Sequence, residues 1–223
     1  MDDRFDLIVV GGGTAGLAAA IEACDGGLRV LVVEKDSRIG GTLHTTGGHV
    51  AGAGTRRQIQ RGIQDSPDVW LKDIARITRG LFREDIIAPV VEHAHEFVDW
   101  LDDNGFAFDP STPRIIYGHE PYETPRTHYG IDAGLSILAV FKPLLDAHIE
   151  AGRAQLWLNA PVTELLTDGA GAVTGVTAYT GGRDVQVTIR ATDWLTTGSG
   201  TFHETVTARP MAVAMWRRTT VWT

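Results

Sequence analysis

Cysteine is almost missing from this chain. Cys24 stands alone among 223 residues, so no intrachain disulfide can form, which fits a reducing compartment. Beside Ala23, in an alanine-rich helical pattern, it reads as a small residue on a helix face. Cations are in deficit too: 20 Lys and Arg against 28 Asp and Glu give a formal net charge of -8. That balance excludes a broad electrostatic grip on nucleic acid or anionic lipid, since both need a basic surface. Long apolar runs are the third lack. None approaches the ~20 residues of a membrane-spanning helix. Leu7 to Val10 is too short for the core of a signal peptide, and Asp2, Asp3 and Asp6 stand where basic residues would be needed. These absences predict a cytoplasmic protein with a small-molecule substrate, no nucleic acid and no membrane. A hydrophobic content of 43% is that of an ordinary globular chain and disfavours disorder.

The order of elements follows from periodicity. Phe5 to Val10 is a short β-branched run ending at three glycines, Thr14 to Cys24 reads as a helix, and Leu28 to Val33 is a second continuous apolar run closed by Glu34. Asp36 to Thr55 is rich in glycine and threonine without either periodicity, so a long loop is expected. Ser66-Pro67 opens a helix carrying Trp70, Ile74, Ile77 and Leu81. A second runs from about Glu84 to Asp103 with Ile87, Val91, Ala94, Val98 and Leu101 on one stripe, and stops at Asn104-Gly105. Residues 106 to 130 hold four prolines and read as loop. Ala133 to Ala151 reads as a third helix that Pro143 should kink or split. From Gln155 the period becomes that of strands, Leu156 to Asn159, Val162 to Thr167, Ala172 to Tyr179 and Val185 to Arg190, expected as an antiparallel meander, with a last strand at Asp193 to Thr197. The fold class expected is α/β: a Rossmann-like domain with a parallel sheet, inserted helices at about 56 to 130 and an antiparallel β-meander, C-terminally incomplete. The domain is placed at residues 1–204, with 205–223 as a divergent tail.

Chemistry is carried by Gly11, Gly13 and Gly16, a G-x-G-x-x-G at a strand-to-helix junction, with Glu34 ending the next strand 18 residues beyond the last glycine. Gly11 permits the tight turn, Gly13 lets a pyrophosphate approach the backbone, and Gly16 allows close packing of helix on strand. The helix beginning near Thr14 offers unpaired N–H groups to phosphates. An acidic tip on the second strand accepts hydrogen bonds from ribose hydroxyls, and Glu34 disfavours NADP by repelling a 2'-phosphate. FAD and NAD both satisfy this pattern.

Val10-Gly11-Gly12-Gly13-Thr14-Ala15-Gly16, Glu34-Lys35, Gly40-Gly41-Thr42 and Thr46-Gly47-Gly48 together resemble the FAD-binding domain of fumarate reductase and succinate dehydrogenase flavoproteins. Ile63 to Asp68, Val98 to Leu101 and the strands ending at Thr197-Gly198 resemble the soluble, single-subunit branch. The resemblance implies an FAD-dependent oxidoreductase of the fumarate reductase type, exchanging a hydride between flavin N5 and a carbon alpha or beta to a carboxylate or ketone, with a non-catalytic dinucleotide-binding module or fragment as the alternative reading. It puts Thr14, Ala15 and Gly16 on the pyrophosphate, Glu34 with Lys35 at the adenosine ribose, and Gly41, Thr42, Leu43, Thr46, Gly47 and Gly48 against the ribityl chain and flavin. By the same resemblance Val162 meets adenine through its backbone and Thr197 and Gly198 close over the nucleotide, with Ser199 in place of a family glycine. Membrane-bound relatives attach the flavin to a histidine at the position that Gly41 holds here, and His44 is three residues too late, so non-covalent FAD is expected. His44 stands either near the flavin edge or as a polar loop residue. In soluble relatives the connection holding Pro125 to Gly130 approaches the flavin, which makes Arg126, His128 and Tyr129 substrate or flavin candidates beside the alternatives of capping and loop packing. His93 and His95, two apart on a helix, face different ways and read as surface histidines with no metal. No catalytic residue is assigned: in the family the arginine proton donor and the carboxylate clamps lie in segments that this chain does not match, so a complementary chain or a further C-terminal domain is expected.

Overall fold

The computed structural model describes residues 4–116, 123–189 and 195–196. Their contacts divide them between two compact units, with boundaries at His44/Thr45 and Val140/Phe141.

The first unit is built on a four-stranded parallel sheet. Strands β2 (Leu7–Val10) and β3 (Val30–Val33) pair in register from Leu7↔Val30 to Val10↔Val33, and helix α1 (Thr14–Asp25) crosses between them. β3 is buried along its whole length, as a strand covered on both faces must be, which is why its sequence is an unbroken VLVV. The remaining strands of this sheet are β6 (Ala154–Trp157) beside β3 and β10 (Leu195–Thr196) beside β2. A second sheet holds the antiparallel run β7 (Val162–Thr167), β8 (Val173–Thr180) and β9 (Arg183–Ile189), to which β1 (Arg4–Phe5) adds in parallel. Phe5, Ile8, Leu31, Val33, Ala160, Val176, Ala178 and Val187 form one core cluster drawn from both sheets, and α1 lies on β2 and β3.

The expected meander therefore loses its first member. Its Leu156 to Asn159 strand is β6, displaced to Ala154–Trp157 and recruited into the parallel sheet, because alternation specifies a strand without specifying its neighbour.

The second unit is mostly helical. It contains β4 (Val50–Ala51), α2 (Arg56–Gln60), α3 (Pro67–Ile77), α4 (Glu84–Asp103) and β5 (Thr127–His128). α4 has the bounds that the sequence predicts. Trp70, Val91 and Ala53 form its core with Ile74, Ile87 and Ala94 packed around them, so the anticipated stripes do face inward. α3 stops short of Leu81: Arg79 and Gly80 take positive φ of 55° and 77°, and Leu81 is 85% exposed. Inside the two expected loops the chain forms short structure, a 3₁₀ turn at Gly41–His44 and the antiparallel pair of β4 with β5. α2 is set by a capping box, Thr55 with Gln58, each side chain meeting the other's backbone N–H. Helix α5 (Ala133–Glu150) is continuous through Pro143. Proline removes one backbone bond there, and the buried Ile137, Val140, Phe141 and Leu145 along the helix offset that loss by apolar burial.

Candidate functional site

The turn after β2 is made of backbone. Gly11 continues the sheet by donating its N–H to Val33 O at 2.8 Å and takes φ of +102°, a conformation that a side chain would strain. Gly13 is the N-cap of α1 with extended torsions and no side-chain cap, so no side chain competes for the first N–H groups of the helix. A Cβ on Gly13 would meet nothing within 4 Å. Thr14 and Ala15 begin the helix here, and Gly16 is buried in its first turn.

Glu34 closes the other side. Its carboxylate is 6% exposed and accepts Gly12 N at 2.6 Å through Oε2 and Asp36 N at 2.8 Å through Oε1. A carboxylate has about four lone-pair directions, so two of these bonds hold it against the turn and leave acceptor capacity for hydroxyls. Gly12, an unassigned position within the motif, proves to be a steric requirement: a Cβ there would lie 2.9 Å from Ile39 Cγ2 and 3.2 Å from Glu34 Oε2. Lys35 points away, exposed and paired with Asp36 at 2.9 Å.

The next glycine pair folds onto the same turn. Gly40 N donates to Gly12 O at 2.7 Å, and a Cβ on Gly41 would stand 3.6 Å from Gly13 Cα. Thr42 is exposed and Leu43 buried in the 3₁₀ turn, while His44 Nε2 bonds Ile39 O at 2.8 Å. Two glycine turns thus face one another around a helix N-terminus, with an acid at the edge. This cradle, free of side chains, fits the diphosphate and ribose of a dinucleotide. Val162 opens β7 in register with Ala178 and packs on the core of this unit. Thr197 and Gly198 lie outside the described residues.

In the second unit Gly48, at φ +63°, approaches α5 so closely that a Cβ would be 2.7 Å from Ala133 C and O. Thr46 O accepts Gly134 N at 3.1 Å, and Gly47 is exposed. The Pro125 to Gly130 segment is where the structure departs most from a simple surface loop. Arg126 is 0% exposed; its Nε and Nη2 chelate Asp65 at 2.9 and 2.8 Å and its Nη1 donates to Asp73 at 2.5 Å. Burial lowers the guanidinium's proton affinity, yet the two carboxylates outweigh it and hold the arginine above its ordinary range. Burial likewise raises Asp73, and hydrogen bonds from Arg126 and Arg76 bring it below the usual carboxylate value. The fork is spent internally, which gives Arg126 the packing role of the two that its sequence context allowed.

His128 is also fully buried. Its Nδ1 bonds Arg126 O at 3.0 Å, and Nε2 has no partner among the described residues. Burial, aided by the charges of Arg57 and Arg61, brings its pKa down to about 4. Tyr129 is half-buried, its ring 5.4 Å from that of His49 and 5.0 Å from the Arg114 guanidinium, its hydroxyl 3.3 Å from Ser111 Oγ. Of the three candidates Tyr129 alone reaches the surface. Cys24 is buried on α1, and burial pushes its thiol up to about 11, which makes it unreactive. His93 and His95 turn to different partners, Glu96 at 2.9 Å and the Glu92 carbonyl at 3.0 Å. Among the described residues no helix is long and apolar enough to cross a membrane.

The sequence model of the family described as FAD binding domain matches residues 6–218. The chain is similar to fumarate reductase (cytochrome) of Shewanella frigidimarina, 29% identical over 78% of this chain and 29% of the relative. The acrylate reductase flavoprotein subunit of Shewanella woodyi is 32% identical over 78% of this chain and 33% of its own length. Among solved structures, 3-ketosteroid-Δ4-(5α)-dehydrogenase from Rhodococcus jostii RHA1 superposes with a TM-score of 0.71 at 28% identity, covering 87% of this chain and 46% of that one. The open form of a flavocytochrome c3 fumarate reductase shares the fold, with a TM-score of 0.73 at 21% identity over 87% and 33%. The chain spans about a third of the length of the two reductases it matches.

Proposed function

Because this chain belongs to the FAD binding domain family, we propose that it holds FAD non-covalently as the nucleotide-binding part of a fumarate reductase-type oxidoreductase. The observation that carries this reading is the turn at Gly11 to Gly13, bare of side chains at the start of α1 and bordered by the buried Glu34 carboxylate. Backbone N–H groups of Thr14, Ala15 and Gly16 bind the diphosphate, Glu34 accepts from the adenosine ribose with Lys35 beside it, and Val162 offers its backbone to adenine. Gly41, Thr42, Leu43, Thr46, Gly47 and Gly48 are the candidates for the ribityl chain and flavin, and Thr197 and Gly198 are further cofactor candidates. When bound, the flavin supplies two-electron chemistry at N5, exchanging a hydride with a carbon next to a carboxylate or ketone.

What this chain contributes is orientation and exclusion of water. Tyr129, half-buried with its hydroxyl 3.3 Å from Ser111 Oγ, is the candidate of its segment for a small-molecule substrate, while the buried Arg126 and His128 pack the segment. The groups that clamp a carboxylate and return a proton are not assigned to residues of this chain. Residues 1–204 form the nucleotide-binding domain in this reading.

The test is the absorbance of freshly purified protein with and without added FAD. Flavin bands that co-purify or saturate on titration, and that pass into the supernatant on acid precipitation, support non-covalent FAD. Colour retained in the acid pellet contradicts the non-covalent mode, and protein that takes up no flavin contradicts the function.

A further inference from the structure

We infer that Arg126 is a positioning residue for the second glycine loop, and that it sets the environment of the flavin ring without touching it. The inference rests on the FAD reading above and adds to it an assignment for a buried charge network.

The segment from Arg126 to Gly134 is the template on which residues 46–52 are laid. Thr127 and His128 pair with Ala51 and Val50 in an antiparallel ladder. Arg126 O accepts Gly52 N at 3.2 Å and the His128 ring at 3.0 Å. At the other end Gly134 N holds Thr46 O, and Gly48 lies against Ala133 with no room for a methyl group. Where residues 126–134 go, the loop at Thr46 to Gly48 follows.

The side chain of Arg126 fixes that template to the helices. Asp65 immediately precedes the cap of α3 and receives two parallel bonds from the guanidinium. Asp73, in the middle of the same helix, receives the third. Gln58 of α2 then ties the same network together, donating to Asp65 Oδ2 at 2.8 Å and to Pro125 O at 2.9 Å while its carbonyl accepts Gly54 N at 2.8 Å and Thr55 N at 3.0 Å. Arg76 adds a second cation at 3.3 Å from Asp73 and itself pairs with the exposed Glu123 at 3.4 Å. Arginine is required by geometry as well as charge: a planar fork satisfies two carboxylates from fixed directions, which a single ammonium cannot do. Nothing in this network needs a substrate to complete it, so its value lies in rigidity around a site on the loop that it supports.

The test uses the FAD-loaded chain with Arg126→Lys, which keeps the charge and loses the fork, and with Asp73→Asn, which keeps the Asp65 chelate and weakens one arm. FAD affinity is read by titration, and the ring's surroundings by the fine structure of the visible flavin band and by iodide quenching of flavin emission. A loop loosened by roughly an ångström should at least about double the quenching constant in Arg126→Lys, with a smaller rise in Asp73→Asn. FAD affinity should fall by less than about threefold, because the N–H groups and Glu34 that bind the ADP half are untouched. Lysine and asparagine variants that bind FAD with wild-type band shape and quenching overturn the inference and leave the FAD reading standing. So does an Arg126→Lys chain that fails to fold beside an Asp73→Asn chain whose flavin is unaltered, since the network then serves stability alone. A wild-type chain that takes up no FAD overturns both.

Discussion

Acidification offers a sharp test of how the Pro125 to Gly130 segment is built. His128 is fully buried, donates Nδ1–H to Arg126 O and has no partner for Nε2 among the described residues. A second proton would place an unpaired cation in an apolar setting near Arg57 and Arg61, and the folded pKa falls from 6.5 to about 4 accordingly. In the unfolded chain the imidazole titrates at its ordinary value. Between about pH 6.5 and 4 the unfolded state therefore binds more protons, and stability drops as pH falls through that window. With ~1.4 kcal/mol for each unit of displacement, this one group removes about 3 kcal/mol by pH 4 and no more below it. That is a large share of the ~5–15 kcal/mol by which domains are stable. Asp73, whose pKa is held below the usual carboxylate value, loses its contribution only as pH falls through and below that ordinary value, so it stays outside most of the window. Denaturant unfolding of wild type and His128→Asn, measured at steps from pH 7.5 to 4, separates the term, because asparagine can still donate to Arg126 O and does not titrate. The wild type should lose about 3 kcal/mol more than the variant across the series. Parallel pH profiles would refute the placement of a neutral, enclosed His128.

Two other substitutions probe the glycine turns. Glu34→Gln sets an amide donor against either Gly12 N or Asp36 N, which now both donate to the carboxylate. It should cost about 1–3 kcal/mol in denaturant unfolding and weaken FAD by roughly 10- to 100-fold in a fluorescence titration, through the lost ribose bond. Gly48→Ala forces an L residue into φ +63° and pushes its methyl to 2.7 Å from Ala133. A loss of about 2–4 kcal/mol is expected from strain and overpacking together, and a variant as stable as wild type would mean that the loop does not lie on α5.

The glycine turn between β2 and α1 is legible in the sequence because its signals are local. The run from Leu7 to Glu34 carries its strand, turn, helix and strand within one βαβ unit, and each glycine acts on neighbours close in sequence or on the adjoining strand. Gly12 escaped notice because its constraint comes from Ile39 and Glu34, which no motif position records. β6 was misassigned for a related reason. Gln155 and Leu156 alternate as any strand does, and only their pairing with Leu31 and Val32 reveals a parallel sheet. Arg126 shows the limit most clearly: beside a histidine and a tyrosine it looks like a substrate group, while its partners Asp65 and Asp73 lie 61 and 53 residues earlier. Other signals are local, among them the Thr55-x-x-Gln58 box that starts α2 and the Arg79-Gly80 stop that ends α3 before Leu81.

Whether a diphosphate lies in the open space at Gly13 is measured directly by an FAD titration of Gly13→Val against wild type. The added side chain begins in extended backbone and its Cβ meets no atom within 4 Å, so circular dichroism should be unchanged and the unfolding free energy should fall by only about 0.5–2 kcal/mol through the poorer cap. FAD affinity should drop by at least about 100-fold, because backbone N–H groups can no longer be approached. A well-folded Gly13→Val chain that binds FAD as tightly as the wild type would contradict that placement.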